Sequence, residues 1–288
     1  MNGRTVIANK FALVTGCSTG VGLHTAVRLA EAGYAVVATM RDPGKQQALL
    51  EEAGKADVTL EVGALDVCSQ DSIDAAVADS IARHGQIDLL VNNAGAGFLG
   101  SVEQTGDDDL RRTMETNFFG VWNLTKAVLP HMRAAGSGRI ISVTSVGGLL
   151  GQPFNEAYCA AKFAVEGMME GLAPLASQFG VDICLVEPGP INTEFVASVR
   201  AISQGALAAM TEPYGTLARR YMGSTGDVFA TYGQTGADIA DIITALAVAE
   251  SPDFRTITSD FAKQMVASKV VDPTGNSVIR IFTERLKG

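Results

Sequence analysis

The chain has 288 residues, of which 47% are apolar and 18% charged, and its formal net charge is −9. This composition is typical of a folded globular protein and argues against intrinsic disorder. The negative charge argues against general nucleic-acid binding, which needs a basic surface. No apolar run reaches the ~18 residues that a membrane-spanning helix requires, and the first residues lack the apolar core of a signal peptide.

The four cysteines, Cys17, Cys68, Cys159 and Cys184, are scattered and form no CxxC pair. We therefore expect free thiols in a cytoplasmic protein, each of them buried. The three histidines have no spacing that resembles a metal site, so no metal is predicted.

Short apolar runs alternate with helical patterns along the chain, and each run is typical of a buried strand. The predicted strands cover Phe11–Gly16, Tyr34–Met40, Val58–Leu65, Ile87–Gly95, Arg139–Ser145, Val181–Glu187 and Phe254–Ser259. The predicted helices cover Gly20–Gly33, Pro43–Gly54, Ser69–His84, Thr105–Met132 and Asn155–Phe179. A capping box of Thr105 and Asp108 is predicted to open the fourth helix.

This alternation predicts an α/β fold with a doubly wound parallel sheet, a Rossmann fold of three layers. We expect a single domain over residues 1–288. It would carry an irregular, apolar substrate lid at about 193–233 and a C-terminal extension at about 259–288. Ligands of such sheets bind at the carboxyl ends of the strands, so the candidate motifs should lie there.

The first strand ends in TGCSTGVG, which places glycines at Gly16, Gly20 and Gly22. Such a turn lets the backbone approach a pyrophosphate, whose charge the following helix N-terminus favours, although the spacing is not GxGxxG. The same residues match the GxSxG elbow of serine hydrolases. A hydrolase needs a histidine late in the chain, however, and the last one here is His131. The phosphate interpretation is therefore favoured.

The second strand ends in Met40, Arg41 and Asp42. An acidic residue at this point usually holds the ribose of NAD, whereas an arginine accommodates the extra phosphate of NADP. Arg41 favours NADP(H), and Asp42 leaves NAD(H) open. The alternative is that Arg41 is a surface residue that pairs with Asp42 and has no role in cofactor binding.

Tyr158 and Lys162 stand four residues apart on one predicted helix, and Ser145 ends a predicted strand. A free phenol has a pKa near ~10, and an ammonium on the same helix face favours its ionised form. Together the three side chains form a site that moves a proton on or off a carbonyl or hydroxyl oxygen. A cofactor would supply the hydride.

The chain resembles the short-chain dehydrogenase/reductase family. The likeness is greatest to its branch of 17β-hydroxysteroid dehydrogenase type 1 and the retinol dehydrogenases. The family's TGxxxGxG, NNAG, serine with YxxxK, and PG motifs are matched at Thr15–Gly22, Asn92–Gly95, Ser145 with Tyr158 and Lys162, and Pro188–Gly189.

The resemblance implies that the catalytic residues are Asn117, Ser145, Tyr158 and Lys162. It implies cofactor contacts from Gly16, Ser18, Thr19, Gly20, Val21, Gly22, Arg41, Asp66, Val67, Asn93, Ala94, Gly95, Tyr158, Lys162, Pro188, Gly189, Ile191 and Thr193. Asn117 would hold a water beside Lys162, and Asn92 would brace the sheet and the cofactor. Subunits would pair as a homodimer or homotetramer through helices 105–132 and 155–179.

The same branch implies a bulky apolar substrate such as a steroid or retinoid. The expected substrate contacts are Ser145, Leu149, Phe154, Tyr158, Phe195, Val228 and Phe229. Two departures bear on a phenolic steroid: GSTGDVF (Gly223–Phe229) lacks the histidine of the steroid enzyme, and Gln152 places an amide among apolar residues. The alternatives are a broad carbonyl reductase for smaller ketones and aldehydes, and a dinucleotide-sensing protein without turnover.

Overall fold

The computed structural model of the protein describes residues 10–194, 199, 210–267, 274–276 and 280. The strands are β1 (Phe11–Thr15), β2 (Ala35–Met40), β3 (Glu61–Ala64), β4 (Leu89–Asn92), β5 (Gly138–Val143), β6 (Val181–Glu187), β7 (Ile191–Asn192), β8 (Gln234–Thr235) and β9 (Arg255–Ile257). The helices are α1 (Gly20–Glu31), α2 (Gln47–Lys55), α3 (Gln70–His84), α4 (Asp107–Met114), α5 (Gly120–Ala135), α6 (Glu156–Ala176), α7 (Tyr214–Tyr232), α8 (Gly236–Val248) and α9 (Asp260–Val266).

Seven of these strands form one parallel sheet in the order β3-β2-β1-β4-β5-β6-β9. The predicted doubly wound parallel sheet is thereby confirmed. The order reverses between β1 and β4, and this switch point opens a crevice at the carboxyl ends of the strands. The two-residue strands β7 and β8 pair separately, in parallel, beyond β6.

The sheet is covered on both faces, which explains why its strands are continuous apolar runs. Successive side chains point to opposite faces. Leu13 and Leu90 therefore pack toward α3, α5 and α6, and their neighbours Val14 and Val91 pack toward α1, α2 and α8. The two apolar cores hold the carboxyl ends of the strands in fixed register. That register positions every loop of the crevice.

The predicted capping box at Thr105 is wrong. The helix begins one residue later, after Gly106, with no side-chain cap, because the Thr105 hydroxyl donates to the carbonyl of Ser101 at 2.7 Å. A capping box instead opens α8, between Thr235 and Asp238.

The lid was expected to be irregular, but its second half is the 19-residue helix α7. The expectation that every cysteine is buried is also wrong for Cys68, which is exposed in the turn after β3. Cys17, Cys159 and Cys184 are buried. Within the described residues, no helix is both long and apolar enough to cross a bilayer.

Candidate active site

The glycine turn after β1 packs closely against the segment after β4. Gly16 adopts a φ of +73°, and a Cβ there would lie 2.9 Å from the Ala94 Cα. Gly20 adopts a φ of +59° at the start of α1 and faces the Thr193 side chain. Both positions need glycine, because other residues rarely adopt this φ. The turn therefore exposes bare backbone at the helix N-terminus, between the loops that follow β4 and β6.

Asn93 and Thr15 hold this turn in place. The Asn93 amide nitrogen donates to the carbonyls of Thr15 at 2.8 Å and Gly16 at 3.2 Å. The Thr15 hydroxyl accepts from the backbone N–H groups of Asn93 and Ala94, each at 3.0 Å. Asn92, by contrast, donates away from the turn, to Thr125 and Ser142. Its amide joins β4 to β5 and α5, so the brace of the turn itself is Asn93.

Ser145 and Tyr158 meet at the end of β5. Ser145 has extended backbone, and its hydroxyl accepts from Gly147 N at 3.0 Å. That bond anchors the hydroxyl in a short turn. The Tyr158 side chain, on the first turn of α6, is hydrogen-bonded to Ser145. A Cβ on Gly147 would lie 3.3 Å from the Tyr158 ring, so a small residue is needed between them.

Lys162 lies one helical turn after Tyr158, on the same face of α6. Its buried ammonium donates to the carbonyl of Val143 at 3.0 Å, and it lies 5.7 Å from the centre of the Tyr158 ring. A Cβ on Gly95 would lie 3.7 Å from Lys162 Nζ and 3.0 Å from Asn117 Oδ1. Gly95 therefore marks the point where the NNAG segment, Lys162 and Asn117 converge.

Asn117 is fully buried in a π-helical turn, residues 115–119, that joins α4 to α5. Its amide donates to the carbonyls of Ala96 at 2.7 Å and Thr113 at 2.9 Å, and its oxygen accepts from Ala96 N at 3.1 Å. Such turns are frequent at functional sites because they re-aim a helix side chain. Here the turn fixes the helix to the loop that carries Gly95.

The protonation of the site is governed by burial. Burial raises the pKa of Tyr158 to about 12, against the weaker effect of its hydrogen bond to Ser145. Burial also lowers the pKa of Lys162 to about 8, against the opposing charge of Glu166. The chain's own groups thus favour a protonated phenol, whereas the sequence predicted that Lys162 would make it more acidic. Burial has this effect on both residues because it penalises the ionised phenol and the protonated amine alike.

Arg41 and Asp66 lie together at the ends of β2 and β3. The exposed Arg41 lies near enough to Cys68 for its charge to lower the pKa of that thiol, against the larger opposite effect of burial. Asp66 Oδ1 accepts from Cys68 N at 3.0 Å. The Asp42 carboxylate accepts from Gly44 N at 3.0 Å, and no ion pair joins it to Arg41 in the described part of the chain. Arg41 itself is exposed at the end of β2.

The loop after β6 closes the opposite rim. Pro188 O accepts from Val146 N at 2.9 Å, which ties this loop to the one that carries Ser145. Gly189 packs on α9, where a Cβ would lie 3.2 Å from Ala262. Ile191 packs on the edge of the sheet core.

On the other rim of the crevice, Val67 packs its side chain inward against Gly120. Ser18, Thr19 and Val21 lie in and after the glycine turn, around the start of α1.

The residues expected to contact substrate divide into two walls. Leu149 is buried against β9 and α9, together with Val146. Phe154 is buried against α7, where its ring contacts that of Tyr221 at 5.7 Å between centroids. Val228 and Phe229 are half-buried on α7, and Phe195 lies outside the described residues. Val146 follows Ser145 directly and Phe154 precedes Tyr158 by four residues, so both clusters adjoin the Ser145–Tyr158 pair.

The sequence interpretation missed a buried charged cluster behind Lys162, formed by Glu166, Glu187 and Arg255. Each is a charged residue within an otherwise apolar run, which is the only signal that the sequence offers. It also missed Asn155, whose amide donates to the Tyr221 hydroxyl at 3.1 Å and ties α6 to α7.

Comparison with known proteins agrees with this geometry. The "short chain dehydrogenase" family profile matches residues 10–204. Retinol dehydrogenase 8 of Bos taurus is 40% identical over 279 residues, covering 95% of this chain and 89% of the relative. Human 17-beta-hydroxysteroid dehydrogenase type 1 is 36% identical over 289 residues, covering 98% and 87%. A metagenomic short-chain oxidoreductase solved in complex with NADP superposes with a TM-score of 0.69, at 28% identity, covering 88% of this chain and 98% of that one.

Proposed function

The chain belongs to the short-chain dehydrogenase family and is an oxidoreductase of alcohol or carbonyl groups, and on that premise we propose that it uses NADP(H) on a bulky apolar substrate. The observation that carries the proposal is the convergence of Ser145, Tyr158, Lys162 and Asn117 beside the glycine turn. A proton-transfer group and a dinucleotide cradle thus share one crevice.

The crevice fits a nicotinamide dinucleotide. Gly16, Gly20 and Gly22 keep the turn free of side chains and let it pack closely against Ala94, Thr193 and Asn93. The Thr19 side chain forms no cap with the N–H groups of α1. These groups would hold the pyrophosphate. Asn93, Ala94 and Gly95 would line the middle of the cofactor, and the remaining predicted contacts lie along the two rims. The bound cofactor would supply or accept the hydride on the substrate carbon.

Side chains of the protein would bind the substrate oxygen and exchange a proton with it. Ser145 and Tyr158 hydrogen-bond that oxygen and fix the carbon at a constant position. In the reductive direction, the protonated Tyr158 phenol donates its proton to the oxygen as hydride reaches the carbon. In the oxidative direction the phenol must first lose its proton, and positive charge from Lys162 favours that loss. Asn117 holds the segment through which the proton would pass to solvent.

The NADP(H) preference rests on the end of β2. Met40, at the position where an acidic residue would select NAD, is buried and uncharged. Asp42 uses its carboxylate to cap a short turn, which leaves the exposed Arg41 as the charged group at this rim. A guanidinium binds phosphate oxygens through paired hydrogen bonds. One similar solved structure is in complex with NADP, which supports the same choice.

The substrate class rests on the two walls and on the relatives. Two apolar clusters, which include side chains of α7 and α9, adjoin the Ser145–Tyr158 pair, and binding sites for large apolar ligands are lined mainly by such side chains. The similar proteins are named for retinol and for 17-beta-hydroxysteroid. A retinoid or steroid alcohol, with its ketone or aldehyde, is therefore the proposed substrate, within a single domain that includes the lid.

Subunit pairing is proposed through α4, α5 and α6, as the sequence resemblance implies. These helices carry large apolar side chains that are 37–50% exposed: Leu110, Phe119, Trp122, Phe163 and Leu175. Several exposed large apolar side chains on these helices are what an interface would use, and a homodimer would bury them.

The test is a substrate screen with purified protein. NADPH and NADH oxidation would be followed against matched panels of steroid ketones, retinaldehydes and small ketones, and NADP⁺ and NAD⁺ reduction against the corresponding alcohols. We expect NADP(H)-dependent turnover with the highest kcat/KM on the large apolar compounds. A preference for small ketones would make the protein a general carbonyl reductase, and dinucleotide binding without turnover on any panel would make it a sensor.

A further inference from the structure

A cluster of buried charges lies directly behind the proposed active site, and the mechanism above leaves it without a role. Arg255 Nη1 contacts Glu166 Oε2 at 2.5 Å and Glu187 Oε1 at 2.7 Å, while Nη2 contacts Glu170 Oε2 at 3.2 Å. The side chains of Arg255, Glu166 and Glu187 are 5%, 6% and 0% exposed. Burial of this much charge is costly, so its placement at this point needs a reason.

The cluster joins the elements that carry the proposed catalytic groups. Glu166 lies on α6 one turn beyond Lys162, and Glu187 ends β6 directly before the cofactor loop at Pro188. Thr144, the residue before Ser145, donates its hydroxyl to Glu166 Oε1. Arg255 reaches them from β9.

Burial raises the pKa of both Glu166 and Glu187, and the hydrogen bonds favour ionisation of Glu166 over Glu187. Two buried carboxyls share one nitrogen of Arg255, and like charges in one site hold a shared proton. Glu166 has partners for both oxygens, from Thr144 and Arg255. Glu187 Oε2 is buried and has no hydrogen-bond partner within the described residues. Because an unpartnered ionised oxygen is the costlier of the two, the proton belongs on Glu187 and the charge on Glu166.

The ionised Glu166 acts on Lys162. Lys162 is buried and its ammonium has one neutral acceptor, the Val143 carbonyl, so desolvation favours loss of its proton. The groups that face it are the Tyr158 ring and Asn117 across Gly95, which carry no charge, and Glu166 on its own helix. The charge of Glu166 therefore opposes the effect of desolvation on the pKa of Lys162, while Arg255 contacts the other oxygen of that carboxylate.

We propose that Glu166 is a positioning residue of the reaction: its carboxylate, oriented by Thr144 and Arg255, keeps Lys162 protonated, and Glu187 carries the proton of the cluster. This inference rests on the proposed function, because a protonated Lys162 matters only where Tyr158 exchanges a proton. Glu166 would touch neither substrate nor cofactor, and it would act by keeping the positive charge of Lys162 beside the Tyr158 phenol.

The experiment compares Glu166→Gln with Glu170→Gln. The control removes a carboxylate from the same helix, one turn further on, that contacts the same arginine but is half-exposed. The Lys162 side-chain nitrogen would be titrated by ¹⁵N NMR in protein without cofactor, with its signal assigned through Lys162→Arg. We expect Glu166→Gln to lower the pKa of Lys162 by about one unit, the size of a nearby opposite charge, and Glu170→Gln to leave it unchanged. An unchanged Lys162 titration in Glu166→Gln would overturn the proposal.

The pH profile of alcohol oxidation gives a second readout with a distinctive sign. If Glu166 acts through Lys162, loss of its charge leaves the phenol with less positive charge nearby, so the half-maximal kcat/KM moves to higher pH. If Glu166 instead repels the phenolate directly, the profile moves to lower pH, which would contradict the proposal. A merely structural role would lower activity without moving the profile, and that result also contradicts it. Glu166→Asp, which keeps the charge, should restore the wild-type profile.

Glu187→Gln tests whether Glu187 carries the proton of the cluster. It also provides a second test if Glu166→Gln does not fold. Because the amide resembles the protonated carboxyl, the Lys162 titration should stay at its wild-type position. A fall as large as that expected for Glu166→Gln would mean that Glu187 carries the charge. The titrations need no turnover, so a protein that is inactive on every substrate would refute the proposed function while the NMR result still decides the role of Glu166.

Discussion

The glycine turn yields a quantitative prediction at Gly22. A Cβ at this position would lie 2.9 Å from the Gly16 carbonyl carbon, and closer still to its oxygen and to Asn93 Nδ2, so α1 must move away from the turn. Overpacking of this kind costs ~1–3 kcal/mol. We expect Gly22→Ala to lower Tm by about 2–12 °C, at about 2–4 °C per kcal/mol for a large single domain. The N–H groups of α1 move with the helix, so NADPH should bind more weakly. Its Kd should rise tenfold for each ~1.4 kcal/mol of binding free energy that is lost.

The matched control is Gly54→Ala, in α2. A Cβ there meets nothing within 4 Å, so the change only improves helix propensity, by ~0.5–1 kcal/mol. Thermal unfolding and NADPH fluorescence titration would be measured for both variants. Gly54→Ala should be slightly more stable with the same Kd for NADPH. If Gly22→Ala behaves in the same way, the close approach of α1 to the glycine turn is not what shapes the cofactor site.

Three further predictions concern the cofactor, the interface and the buried charges. Arg41→Asp should raise the Kd for NADPH by ~10–100-fold, the size of a lost charged hydrogen bond, and leave NADH nearly unchanged; equal losses in the titrations would remove Arg41 from the phosphate site. Trp122→Glu should shift the protein from dimer to monomer in analytical ultracentrifugation, and an unchanged mass would place the interface elsewhere. Burial raises the pKa of Glu187 well above its ordinary value of 4.5, so its contribution to stability is full below pH 4.5 and declines as the pH rises through the folded-state value. In urea unfolding, wild type should therefore lose stability relative to Glu187→Gln with rising pH, and a constant difference would mean that Glu187 is ionised throughout.

The fold was predictable because the sheet is buried on both faces. A strand covered on both sides is apolar at nearly every position, and that run is visible without knowledge of its partners. The placement of the candidate site was predictable for a similar reason: Tyr158 and Lys162 share a helix face through local spacing, and Ser145 lies just beyond the end of a strand. Their convergence depends only on the carboxyl ends of parallel strands lying at one edge.

The features that were missed depend on contacts between distant segments. Arg255 meets Glu166 and Glu187 across 89 and 68 residues of chain, through the pairing of β6 with β9 and the packing of α6. No local pattern encodes those distances. The direction of the Tyr158 pKa was missed in the same way, because spacing reveals the neighbouring ammonium but not the depth of burial.

The helix α7 illustrates the same limit. Gly223 and Gly226 lower its helix propensity, so its sequence favoured an irregular lid. Contacts made by Tyr214 with Glu103 and by Tyr221 with Asn155 fasten it to the body of the protein. Tertiary packing of this kind commonly outweighs local propensity.

In the proposed reaction, Tyr158 exchanges the proton while a nicotinamide exchanges the hydride. Tyr158→Phe removes only the hydroxyl that would carry this proton. The variant removes one oxygen and keeps the ring that packs against Gly147. Stopped-flow measurement with NADPH and the best substrate from the screen should show near-normal cofactor affinity and a hydride-transfer rate lower by ~10²–10⁴-fold, the usual contribution of a general acid. Hydride transfer at the wild-type rate, with NADPH bound as tightly as before, would contradict the account.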